Sequence, residues 1–281
     1  MSYTTIISVT DLHRQLDNPN FIVIDCRFSL TDTEAGFKAY RHGHIPTARY
    51  AHLDKDLSSR ITAITGRHPL PNLTELVNKL SSWGIANNSQ VVVYDDISGA
   101  IAGRLWWLLR SLGHDKVAVL DGGIKRWQQL GFPVTTTLPV VKPCVFRAYP
   151  GENTGLSALH VQNGLAQRTL CLIDARTPER YRGEHEPIDP VAGHIPSAAN
   201  RPFQLNLDSD GLFLSPEILG CQFKVLMGDK NPSHVVHTCG SGVTACHNLL
   251  AMEVAGLQGS KLYPGSWSEW IRDKNRPIAT S

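Results

Sequence analysis

The chain has 281 residues, 42% hydrophobic and 19% charged, which is the balance of a globular chain long enough for two cores. Its 27 basic and 25 acidic side chains leave a net charge of +2, and no basic cluster is interleaved with aromatics, so a nucleic-acid partner is excluded. No apolar run approaches the roughly 18 residues of a membrane span, and the opening MSYTTIISVTDLHRQL lacks the basic start and apolar core of a signal peptide.

Taken in order, the first half alternates helices and strands. Ser8 to Leu16 has helical spacing, with Thr10-Asp11 suited to its start, and Phe21-Ile22-Val23-Ile24-Asp25 reads as a buried strand. Val91 to Asp95 is a second buried strand, followed by a helix from Ala102 to Leu112 that Gly113 stops. Val117 to Leu120 is a third, followed by a helix from Gly122 to Leu130 that Gly131 stops. Short apolar strands alternating with helices predict an α/β fold, a mainly parallel sheet flanked by helices on both faces. Leu138-Pro139-Val140-Val141-Lys142-Pro143 and Tyr149-Pro150-Gly151 are proline-rich and aperiodic, as a semi-extended linker should be.

The second half repeats the first. Asp25-Cys26-Arg27 returns as Asp174-Ala175-Arg176, and His44-Ile45-Pro46 returns as His194-Ile195-Pro196. The strand end Asp95 falls opposite Cys239, and Gly122 with Trp127 falls opposite Gly265 with Trp270. Four landmarks in one order identify a tandem duplication. The expected domains are 1–137 and 154–281, joined by a linker over 138–153.

The duplication isolates the chemistry in the segment from Val235 to Gly256. A β-branched strand begins at Val235, and Ala245, Leu249, Leu250 and Val254 mark a helix that Gly256 stops. Between them lies Cys239-Gly240-Ser241-Gly242-Val243-Thr244. A cysteine at a strand tip, just before a helix N-terminus, meets backbone N–H groups with no internal partner, and these favour its thiolate. Gly240 and Gly242 let the backbone curl round the sulfur. The first copy has Tyr94-Asp95-Asp96-Ile97-Ser98-Gly99 there, and a carboxylate cannot carry sulfur. Cys26, Cys144, Cys171, Cys221 and Cys246 read as packing residues. With no C-x-x-C pair, the six cysteines give neither a disulfide framework nor a zinc pattern, so the expected compartment is the reducing cytoplasm. Scattered histidines and the absence of a P-loop pattern leave no metal or cofactor expected.

Over nearly its whole length the chain resembles the tandem-domain rhodanese-like sulfurtransferases. The segments at His44 and His194, and those at Gly122 and Gly265, look like that family's two signatures. Cys239-Gly240-Ser241-Gly242-Val243-Thr244-Ala245 is similar to the active-site loop of its 3-mercaptopyruvate branch, where the thiosulfate-preferring branch has Arg-Lys after the cysteine. The resemblance implies that Cys239 takes sulfur from a small-molecule donor as a persulfide held by the loop amides of Gly240, Gly242, Val243 and Thr244. Cyanide, a thiol or a thioredoxin-like reductant then accepts it. It further implies Ser241, Asp54 and His68 for orientation or proton relay, and Arg182 for the donor's carboxylate. Ser241 also reads as a cap of the following helix, Asp54 as a solvated surface acid, and Arg182 as a surface ion pair. The stretch Glu184 to Pro190, where some relatives carry a second arginine, has none.

Three rival readings follow from the same residues. A cysteine phosphatase needs an arginine six residues after the nucleophile, and Ala245 stands there. Thiosulfate, a dianion, favours fixed positive charge beside the sulfur, which Gly240 and Ser241 do not supply. A persulfide-carrying module without its own small donor would have the same loop, but would not need Arg182 or a proton relay.

Overall fold

The computed structural model describes residues 2–149, 151 and 155–281. Pro150, Glu152 and Asn153 of the expected linker lie outside the described residues. The chain forms two compact units, Met1–Ser59 with Leu70–Thr154 and Asp210–Leu212, and Arg60–Pro69 with Gly155–Ser209 and Phe213–Ser281. Residues 60–69 thus belong with the second unit, although they sit in the first half of the sequence. The described end of the expected linker is hydrogen-bonded to the first unit. The Cys144 N–H donates to the Ser81 carbonyl, that of Phe146 to Ser81 Oγ, and that of Tyr149 to the Leu112 carbonyl.

In the first unit the chain runs β1 (Ile6–Ile7), α1 (Val9–Arg14), β2 (Phe21–Asp25), α2 (Ala35–His42), β3 (Arg49–Tyr50) and α3 (Leu53–Asp56). It continues through α4 (Leu73–Ser82), β4 (Gln90–Tyr94), α5 (Ala102–Ser111), β5 (Val117–Leu120) and α6 (Gly123–Gln129). The sheet is parallel throughout, in the order β1-β5-β4-β2-β3. Its central strands are covered on both faces, which is why Val91, Val92 and Val93 are an unbroken apolar run rather than an alternating one.

The second unit contains α7 (Ala158–Ala166), β6 (Cys171–Asp174), α8 (Pro178–Arg182), β7 (Ala199–Asn200) and α9 (Pro216–Met227). These are followed by β8 (Val235–Thr238), α10 (Ala245–Val254), β9 (Lys261–Leu262) and α11 (Ser266–Trp270). Its sheet is also parallel, in the order β7-β6-β8-β9. β8 is a central strand, so its C-terminal tip is where Cys239 emerges between two neighbours. α10 is buried nearly all round, as a helix carrying Leu249, Leu250 and Met252 beside Cys246 and His247 must be. No helix among the described residues is long and apolar enough to cross a membrane.

The repeated landmarks are braces, and each brace is made twice. Arg27 clamps Asp25 and donates to the Gly43 carbonyl at 2.7 Å; Arg176 clamps Asp174 and donates to the Gly193 carbonyl at 2.8 Å. His44 bonds the Tyr40 carbonyl and stacks on that ring, and His194 does the same with Tyr181. Trp127 and Trp270 each donate an indole N–H at 2.8 Å, to the carbonyls of Pro133 and Pro277. These residues hold strand tips to returning loops and are therefore structural.

His237, inside β8, is fully buried with Nε2 3.2 Å from Met252 Sδ and its ring edge-on to Phe223. Burial, assisted by the Arg201 charge, pushes its pKa down to about 3. The folded chain keeps it neutral while the unfolded chain protonates it below about 6.5, so this contribution is complete above that pH and is lost on acidification. Between pH 7 and pH 4 the wild type should lose about 3 kcal/mol more stability than His237→Leu. Denaturant titrations of both at the two pH values check this, and equal losses would refute it.

Candidate active site

The Cys239 side chain is only 2% exposed, so its sulfur must find partners within the fold. Gly242 supplies one, its N–H donating to Cys239 Sγ at 3.1 Å. The turn from Tyr263 to Ser268 holds the loop from below. Ser266 Oγ accepts the Cys239 N–H at 3.1 Å, and the Cys239 and Gly240 carbonyls accept the N–H groups of Trp267 and Ser268. Gly242 has φ +76°, and a Cβ there would stand 2.3 Å from the Pro264 carbonyl oxygen. Both backbone conformation and space therefore require glycine at 242. Val243 is buried; its carbonyl and that of Thr244 accept the N–H groups of Cys246 and His247 as α10 begins.

The equivalent place in the first unit shows what such a cradle does. The carboxylate of the fully buried Asp95 accepts four backbone N–H bonds, from Ile97, Gly99, Ile101 and Ala102, all at 2.7–2.8 Å. A strand tip followed by a glycine-bearing turn and a helix N-terminus is an anion hole. In the first copy a carboxylate fills it; in the second the corresponding residue is a cysteine. Burial pushes the thiols of Cys26 and Cys171 up, as suits packing residues.

Of the three proton-relay candidates, the structure brings two together. His68 is buried, and its Nδ1 lies 2.7 Å from Ser241 Oγ, within the second unit to which residues 60–69 belong. Asp54 lies on α3 of the first unit, exposed, its backbone N–H donating to His52 Nδ1.

The expected arginine, Arg182, lies on the second unit. Arg182 ends α8 half-exposed, and its guanidinium is paired with Glu184 at 2.7 and 2.8 Å. The guanidiniums beside the loop are those of Arg67 and Arg180. A Cβ built on Gly240 would lie 2.8 Å from Arg67 Nη2 and 3.4 Å from Arg180 Nη2. Arg180 and Arg182 are two residues apart on a helix, so they leave it on nearly opposite sides. Sequence reasoning did not single out Arg180; helical phase, fixed by Tyr181 stacking on His194, is the signal that separates it from Arg182.

A chain of alternating charges runs from the strand end to the loop. Asp174 pairs with Arg176, Arg176 with Glu186, Glu186 with Arg180, Arg180 with Asp189, and Asp189 with Arg67. Burial disfavours the Arg176 charge, but Asp174, Glu186 and the Cys239 sulfur together raise its pKa above the ordinary value. Burial likewise opposes the Glu186 charge, yet Arg180 and the N–H groups of Asp189 and Ile188 hold its carboxyl below the usual range. Beside this chain opens a cleft of about 440 Å³ whose lining includes Arg67, Asp189, Ser268 and Arg272.

A family model described as Rhodanese-like domain matches residues 8–130 and again 157–273. The chain is 47% identical to a probable 3-mercaptopyruvate sulfurtransferase of Pseudomonas aeruginosa, covering 100% of this chain and 99% of that protein. It is 39% identical to SseB of Mycobacterium tuberculosis, named a putative thiosulfate sulfurtransferase, over 91% of this chain and 89% of that one. The solved 3-mercaptopyruvate sulfurtransferase of Leishmania major superposes with a TM-score of 0.82 at 30% identity, covering 95% of this chain and 74% of that chain.

The cradle geometry generates a direct expectation. Gly242→Ala should cost at least about 2 kcal/mol of stability, because it combines left-handed strain with the Pro264 clash. Chemical denaturation measures it, and a loss below about 0.5 kcal/mol would show that the loop is not held as described.

Proposed function

The chain belongs to the rhodanese-like family, and from that premise we propose that it moves sulfur from 3-mercaptopyruvate, through a persulfide on Cys239, to a thiol or to cyanide. The observation that carries this reading is the loop itself. A buried sulfur accepts a backbone N–H from a turn without cationic side chains, while two guanidiniums stand one residue away and a serine–histidine pair stands two residues away.

In the first half-reaction the Cys239 thiolate attacks the donor's sulfur, and an S–S bond forms as the donor's C–S bond breaks. The electron pair of the broken bond passes to C3, giving the enolate of pyruvate. The donor's thiol proton ends on C3 through the Ser241–His68 pair, which leaves a persulfide anion and pyruvate. The Gly242 N–H, which faces Cys239 Sγ, holds the charge on sulfur through both states. The guanidiniums take the carboxylate, which survives the reaction unchanged and serves as a fixed handle. In the second half-reaction the acceptor attacks the outer sulfur and the S–S electron pair returns to Cys239. Cyanide leaves as thiocyanate; a thiol, including that of a thioredoxin-like reductant, leaves as its own persulfide.

Thiosulfate as donor is a second reading, favoured by the same two guanidiniums, since fixed positive charge beside the sulfur suits a dianion. Two neighbouring carboxylates, Glu186 and Asp189, share those cations and favour the singly charged donor.

Parallel assays of sulfur transfer to cyanide from both donors, on wild type and Cys239→Ser, test the proposal. Expected is a kcat/KM at least ~100-fold higher for 3-mercaptopyruvate, about 2.7 kcal/mol in transition-state binding, and no turnover in the variant. A preference for thiosulfate would overturn the donor. Inactivity with both would leave a persulfide carrier, which mass spectrometry of Cys239 would then detect.

A further inference from the structure

Position 240, next to Cys239, is glycine. Conformation does not demand it, because φ at Gly240 lies outside the left-handed region that Gly242 occupies. A Cβ there would meet Arg67 Nη2 at 2.8 Å, so a larger residue at 240 displaces that guanidinium. Arg67 is therefore seated in the volume that a side chain at 240 would fill. Its Nη1 is paired with Asp189, and its backbone N–H donates to Ser268 Oγ at 3.0 Å, the same residue whose N–H donates to the Gly240 carbonyl. Its Nε is buried with no hydrogen-bond partner among the described residues, so one donor of the fork is unused by the protein. The stretch from Gly183 to Pro190 contributes acids and no arginine, and its Asp189 holds Arg67 and Arg180 to opposite oxygens of one carboxylate.

We propose that Arg67, seated in the space left by Gly240, is with Arg180 the second cation of the donor-anion site and sets the choice of a 2-oxo acid donor. The assignment rests on the donor reading of the preceding subsection and adds a residue and a reason for Gly240. A loop-borne cation would sit on the mobile end of a side chain next to the sulfur. Arg67 is instead pinned at its backbone by Ser268 and at its head by Asp189, which fixes where a planar carboxylate is met.

The test uses full-length Arg67→Ala, Gly240→Ala, the double variant and Arg67→Lys, with 3-mercaptopyruvate as donor and cyanide as acceptor. Gly240→Ala displaces only the head of the Arg67 side chain, and Arg67→Ala leaves Asp189 paired with Arg180, so all four should melt within a few degrees of wild type. Arg67→Ala should lower kcat/KM about 30-fold, chiefly through KM, with kcat changed less than about threefold. Arg67→Lys should recover only part of the loss, since a lysine lacks the planar fork. Gly240→Ala should cost about tenfold in the wild type and almost nothing on top of Arg67→Ala, because both remove one contact. Calorimetric titration of 3-mercaptopyruvate into Cys239→Ser, with and without Arg67→Ala, should show the same loss in affinity without turnover. If wild type uses 3-mercaptopyruvate and Arg67→Ala stays within threefold of it, or if the two single losses simply add, the Arg67 assignment is overturned alone. If wild type uses thiosulfate and not 3-mercaptopyruvate, the donor reading falls and the carboxylate role of Arg67 falls with it.

Discussion

A negative charge at the buried tip of a parallel strand must be met by backbone N–H groups, and each copy of the repeat is built round that demand. In the first copy the charge is the Asp95 carboxylate, which draws four N–H groups onto its two oxygens and closes the turn into α5. That anion is part of the side chain and is never released. In the second copy the same topology presents Cys239, and Gly242 turns its N–H onto the sulfur. Sulfur can be extended by a second sulfur and restored, which a carboxylate cannot. The two turns thus share a place between strand and helix and differ in the residue at the strand end and in the glycines that follow it.

Keeping arginines at such a buried site has its own cost, because an unpaired guanidinium taken out of water is expensive. The alternation Asp174, Arg176, Glu186, Arg180, Asp189, Arg67 answers this by giving every cation an anion and the run no net charge. The pairing does not exhaust the arginines. A guanidinium has five N–H donors, and Asp189 accepts through one oxygen from each of its two partners. The acids therefore fix the forks in place while leaving donors that face the loop, which is the condition for binding an anion without paying for reorganisation on each turnover.

Much of this was legible in the sequence, for reasons that separate by range. Strands such as Phe21–Asp25 and Val117–Leu120 coincide with their apolar runs because β-branched residues in a doubly covered sheet leave little alternative. The internal repeat made Cys239 stand out against Asp95, and the Ser241–His68 contact joins two of the residues the family resemblance proposed. What was not legible is phase and partnership. Arg180 and Arg182 are equivalent as letters; only the turn of α8 decides that one meets Gly240 while the other meets Glu184. Arg67 gave no signal at all, since its role depends on Asp189 and on a missing Cβ, both more than a hundred residues away. The membership of residues 60–69 in the second unit is a long-range property of the same kind.

That segment brings Arg67 and His68 to the Cys239 loop as a set. A Cβ on Gly66 would stand 2.6 Å from the Gly265 carbonyl oxygen and 2.8 Å from Ser268 Oγ, so the backbone at 66 lies directly against the turn that holds Cys239. The next residue, Arg67, is bonded to Ser268 and covers Gly240; the one after it, His68, meets Ser241. Residues 67 and 68 thus face 240 and 241 in register, and a shift of the segment by one position would move the cation and the histidine together. Anchoring by backbone contacts at 66 and 67 keeps that register independent of either side chain. A side-chain truncation at Arg67 therefore removes the cation while leaving His68 where it is, whereas a bulkier residue at 66 would disturb both at once. Arg67 and His68 are coupled here through the main chain, and their contributions can be separated only by changes that leave the main chain in place.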